Sequence, residues 1–142
     1  MEQKIIISKR RLGVVVTFLT LLGVVFVFEY GVTEQWNNIL KIVEIGLIIV
    51  FVISFVVTYV KTGLWKFTHK SLDKLDEREV LLTSKSLRYA YGIFTIMVLG
   101  LLLSFSVIGR PINIILVVSL ILVAHILPAS VIAWTERRFE NG

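Results

Sequence analysis

The sequence predicts an all-α integral membrane protein built from four transmembrane helices. Three observations carry that fold class: a hydrophobic fraction of 56% in 142 residues, a mean hydropathy of +0.87, and the gathering of the apolar residues into four long runs. Ordinary soluble domains stay near roughly 45–50% apolar, and a domain of this size has no interior able to hold the surplus. A helix rises about 1.5 Å per residue, so about 20 apolar residues cross about 30 Å of hydrocarbon. The runs do not alternate apolar with polar residues as barrel strands of about 10 residues do. Their many Val and Ile residues are weak helix formers in water, but in lipid the backbone must satisfy its own hydrogen bonds and the helix prevails.

The first span, about 12–30, follows Lys9, Arg10 and Arg11. A basic lead into an apolar core is also how a secretory signal begins, but this core is long and runs into "FEYGVTEQW" with no small-x-small cleavage site, so it reads as a retained helix. The second span covers about 38–60 and the third about 87–109. A fourth, about 111–134, opens on Pro111, a residue suited to the first helical turn because its missing N–H has no partner there anyway. Short links at "YGVTEQWNN" and "GRP" make the first and second spans, and the third and fourth, antiparallel neighbours. The expected architecture is one transmembrane domain, 1–142, of two antiparallel hairpins joined by an amphipathic connection, 61–86. "NILKIVEIGL" from Asn38 lies over "NIILVVSLIL" from Asn113 as a faint parallel repeat.

Charge sets the orientation. Lys4, Lys9, Arg10 and Arg11, then Lys61, Lys66, Lys70, Lys74, Arg78, Lys85 and Arg88, then Arg137 and Arg138 all fall on one side of four crossings, whereas the other side holds Lys41 and Arg110 beside Glu29, Glu34 and Glu44. The positive-inside rule places both termini and the connection in the cytoplasm, in the cell membrane. The net charge of +5 is thereby a record of topology and lipid attraction rather than of nucleic-acid binding. Tyr30, Trp36, Tyr59, Trp65, Tyr89, Tyr91 and Trp134 fall near span ends, where amphipathic rings suit the headgroup zone.

In the connection, Trp65, Leu72, Leu75 and Leu82 recur at helical spacing amid charged residues. They predict a helix lying on the interface or prolonging the third span. Its surface of Leu72, Leu75, Asp76, Glu77, Arg78 and Glu79, a leucine ridge in dense mixed charge, is a candidate cytoplasmic contact for another protein or another copy.

Within the spans, His125 is the outstanding polar residue. It lies roughly 13 Å of helical rise before Trp134, so it is expected to face the protein interior. Pro128 leaves the carbonyl of Ala124 without its helical donor, and Thr95, Ser54 and Thr58, with Thr17, come at a similar depth as hydrogen-bond partners. A proton or solute path is one use of such a group; a satisfied interior imidazole is the simpler one. Glu29, Lys41 and Glu44 are expected as a paired, hydrated cluster near the outer boundary. Small residues four apart, Gly13 with Thr17, Ser54 with Thr58, Gly100 with Ser104 and Ala129 with Ala133, favour close helix approach.

No HExxH, GxSxG, GxxxxGK or intramembrane carboxylate pair occurs. The absence of cysteine excludes disulfides and thiolate metal sites, and the acidic cluster at residues 76–79 has only His69 nearby. The reading is a non-enzyme with no metal or cofactor, acting through helix packing and cytoplasmic contacts as a self-associating bundle or an accessory subunit of a membrane complex, with lipid as its surroundings. The alternative is a small oligomeric channel or transporter with a path near His125.

Overall fold

The computed structural model describes residues 2–135; Arg137 and Arg138 lie outside the described residues, as do the side chains of residues 2–7 and of Leu72. The described elements are helical throughout: α1 (Glu2–Glu34), α2 (Asn38–Phe55) running on into a π-helical stretch (Val56–Val60), α3 (Leu64–Thr68), a 3-10 turn (Leu72–Lys74), α4 (Glu77–Ile108) and α5 (Ile114–Thr135). Four stretches are long and apolar enough to cross a membrane, Ser8–Glu34, Asn38–Val60, Glu77–Ile108 and Ile114–Thr135, consistent with a multi-pass membrane protein. By its contacts the chain divides into two compact units, Met1–Thr62 and Gly63–Gly142.

In the first unit, α1 buries Val14, Thr17, Leu21, Val24 and Gly31. Their spacing of three, four and seven residues draws one seam along the helix, as in close-packed helix pairs. Gly13 meets Thr58, Thr17 meets Ser54, Gly23 meets Leu47 and Gly31 meets Trp36, so the contacts descend α2 as they climb α1. Gln35 ends α1 with a left-handed φ of 68°, and Asn37 starts α2 by accepting a 2.8 Å bond from the Leu40 N–H. Trp36 is half-buried, edge-on to Phe28 at 5.6 Å, and Tyr59 is wholly buried and stacked on Phe55 at 5.4 Å. Tyr59 is not left at the surface as a headgroup anchor; Tyr30 and Trp134 are exposed near the ends of their helices, and Tyr89 and Tyr91 are exposed farther along α4.

The π-helical stretch is marked by the Lys61 N–H donating to the Val56 carbonyl five residues back. Such wide turns are rare and usually interrupt an α-helix for a packing or functional reason. Here consecutive residues, Thr58 and Tyr59, are both buried.

In the second unit, α5 packs against both α3 and α4. Leu116, Ser119, Val123, Ile126, Ser130 and Ala133 form its buried seam, again at spacings of three and four, and Leu64 of α3 is fully buried. Gly109 closes α4 at φ 70°. Its N–H reaches the Ser106 carbonyl and that of Arg110 reaches Phe105, the paired arrangement that satisfies the last carbonyls of a helix and favours glycine at the left-handed position. Asn113 then caps α5, accepting from the Leu116 N–H at 2.8 Å. Pro111 therefore lies ahead of the cap and outside the helix, because a side-chain acceptor at 113 satisfies α5's free N–H groups where proline at the first turn would only avoid one.

The connection differs most from expectation. Trp65 and Leu82 do not share a continuous helix: α3 ends at Thr68, and α4 begins again at Glu77. The break is dictated by Asp76. Its carboxylate accepts from the Glu79 N–H at 2.6 Å while Glu79 accepts from the Asp76 N–H at 3.1 Å, a reciprocal capping box that starts a helix at this point.

Candidate functional site

The densest polar cluster within the spans lies in the first unit, where the two small-residue pairs meet each other. The Thr17 hydroxyl donates to the Gly13 carbonyl at 2.8 Å and lies 2.7 Å from the Ser54 hydroxyl, which also approaches the Gly13 carbonyl at 3.3 Å. Thr58 covers the face of Gly13, and a Cβ there would overlap its Oγ1. Glycine is required here by the neighbour, not by the backbone. Thr17 and Thr58 are buried. In hydrocarbon, hydroxyls that satisfy one another and a carbonyl bind helices together, at about 0.6 kcal/mol per bond.

Ser54 and Thr58 thus take the seam role expected of them. The sequence also assigned them, with Thr95, to a polar set around His125. Thr95 is half-buried on α4. His125 is exposed on α5, off the buried seam, and its Nδ1 lies 2.8 Å from the Ile121 carbonyl. A carbonyl only accepts, so Nδ1–H is the donor. The expected interior placement is corrected: satisfaction by its own helix, one turn back, lets the imidazole sit outside the seam. His125 is about 15 Å from either end of α5 by helical rise, at mid-helix. Pro128 is half-buried and α5 continues through it to Thr135.

Glu29, Lys41 and Glu44 do not share one environment. Lys41 is exposed and Glu29 half-buried, whereas Glu44 is only 8% exposed. Glu44 Oε2 is buried without a hydrogen-bond partner. The register of 17 with 54 and 23 with 47 sets Glu44 level with residues 26–27 of α1, an apolar stretch. A buried carboxyl oxygen left unsatisfied costs about 1–3 kcal/mol, so Glu44 is a destabilising polar group within this unit.

At the start of α4, Glu79 serves two partners. Besides the cap it binds Lys70 Nζ at 3.0 and 3.3 Å. His69 stacks on Trp65 at 4.2 Å with its Nδ1 2.9 Å from the Trp65 carbonyl, tying the end of α3. Of the surface expected as a contact, Asp76 and Glu79 are thus engaged in folding their own chain. Glu77 and Arg78 are exposed and Leu75 is half-buried; of Leu72 only the backbone is described. Among the described residues no group of three His, Cys, Asp or Glu side chains is placed to hold a metal ion.

Comparison of the chain with protein-family models, with curated proteins and with solved structures gave no match in any of the three. Two features escaped the sequence reading. The capping box is carried by "DERE", four residues that also read as a charge cluster, and the burial of Glu44 follows from the register between two helices, which no local pattern carries.

Proposed function

We propose that the chain is a non-catalytic multi-pass membrane protein that works through helix packing, as a self-associating bundle or an accessory subunit of a larger membrane complex. In this reading its spans form two antiparallel hairpins, with both ends and the connection around Lys70–Glu79 in the cytoplasm. The observation that carries it is on α4. Gly92 and Gly100 have nothing within 4 Å of a would-be Cβ, and Ile96, Gly100 and Ser104 are exposed, so the four positions trace an unfilled stripe at four-residue spacing. Glycine inside a helix costs about 1 kcal/mol relative to alanine. Small residues on an open transmembrane face allow another helix to approach closely. None of α4's most apolar window is buried within the chain, against 39% for α5.

The chain lacks cysteine, so single cysteines report contacts without background. Ser104→Cys is expected to give a disulfide-linked dimer in native membranes, and Val98→Cys, half-buried on the opposite face of α4, is not. Equal cross-linking at both positions, or none at Ser104→Cys in the purified protein or in membranes, overturns self-association through this stripe.

A second reading, an oligomeric channel or transporter, is favoured by the exposed His125. A midspan imidazole facing lipid is costly, and a path shared between copies supplies water or a polar partner. It requires proton or solute flux in liposomes that His125→Gln abolishes at normal protein levels; absence of flux in the unsubstituted protein withdraws it.

A further inference from the structure

We infer that the first turns of α4 carry a binding site for the phosphate of an anionic phospholipid. An open hollow of about 550 Å³ is lined by Leu81, Ser84, Lys85, Arg88 and Tyr89, which at i, i+3, i+4, i+7 and i+8 fall on one helix face. All five are exposed. Lys85 and Arg88 are one turn apart and repel each other. Every residue three or four positions from either of them is Leu, Ser, Tyr, Gly or the other base, so no carboxylate on α4 neutralises them. The nearest acid on the face is Glu77, about 12 Å along the axis from Lys85. Lys70 differs, since Glu79 neutralises it in the same unit.

The position selects the anion. The third apolar run begins at Leu87, between the two basic residues, and Tyr89 and Tyr91 project at the same level. The pair therefore stands at the boundary between headgroups and hydrocarbon. Arg88 supplies a planar fork matched to two phosphate oxygens, Lys85 a point charge, and the Ser84 and Tyr89 hydroxyls neutral donors. The Tyr89 ring, on the hydrocarbon side of the pair, gives the glycerol end an apolar contact. A soluble phosphate would gain the charges alone; a phospholipid gains the charges and keeps its chains in the bilayer.

Native mass spectrometry of the full chain, released from detergent after titration with phosphatidylglycerol or phosphatidylcholine, tests the site. Preferential retention of phosphatidylglycerol is expected, weakened about thirtyfold by Lys85→Gln with Arg88→Gln, at about fivefold per basic group. Lys66→Gln with Lys74→Gln is expected to change it less than twofold. If the double variant fails to fold, Arg88→Gln alone reads the same site at about fivefold. Equal retention of the two lipids, or equal losses in the α4 variant and the Lys66/Lys74 control, overturns the site. Displacement of bound lipid by inorganic phosphate at millimolar concentration overturns the lipid assignment in favour of a free anion.

Discussion

The glycines of α1 and those of α4 are used in opposite ways. In the first unit, Gly13, Gly23 and Gly31 each lie against a side chain from the second half of the unit, Thr58, Leu47 and Trp36, and hydroxyls complete the seam. In the second unit, Gly92 and Gly100 meet nothing, and burial is concentrated along α5. The same residue type thus marks a contact already made inside the chain on α1 and a surface still open on α4, as at Gly46 of α2. The difference teaches that a small-residue spacing alone says nothing about which helix fills it.

The largest effect expected from breaking this comparison is at Gly13. Gly13→Val forces its side chain into Thr58 and is expected to destabilise the first unit by about 1–3 kcal/mol, the usual cost of overpacking, measured by unfolding in mixed micelles. Gly100→Val is expected to leave that stability unchanged or slightly raised; equal losses at both sites would erase the distinction between the two helices. Next comes Glu44→Met, which removes the unsatisfied buried oxygen while keeping side-chain length. It should stabilise by about 1–2 kcal/mol in the same assay, and destabilisation would mean that Glu44 has a partner in the membrane. The smallest effect sharpens the role of the hydroxyls: Thr17→Val keeps the shape and removes the bond across to Ser54, for a loss of about 0.6 kcal/mol, along with the bond to Gly13 within α1. A loss beyond about 2 kcal/mol would exceed what such bonds contribute.

Much of the fold was legible because lipid makes secondary structure a matter of run length. The four apolar runs reappear as four long helices, and Gly13–Thr17 and Ser54–Thr58 were recognised as close-approach pairs, although not as each other's partners. The ends of elements were less legible. Asn113 and Asp76 decide where α5 and α4 start through single side-chain bonds, and an apolar period through Trp65, Leu72, Leu75 and Leu82 cannot reveal a cap that interrupts it. His125 was misplaced for a related reason: the depth of an ionisable residue can be counted along a helix, but the direction it faces depends on which stripe of α5 is packed. Glu44 shows the same limit from the other side, since its spacing to Lys41 suggests a pair, whereas packing against α1 buries Glu44 and leaves Lys41 exposed.

The wide turn at Val56–Val60 has a consequence for what comes after it. One additional residue accommodated in a turn shifts the phase of everything downstream by roughly 100° of helical rotation. The direction in which the polypeptide leaves α2 for Gly63, whose φ is 75°, is therefore written into the barrel of the helix itself. Deleting a single valine there would redirect the departing chain, while the seam between Gly23 and Leu47, farther back, would be left in phase.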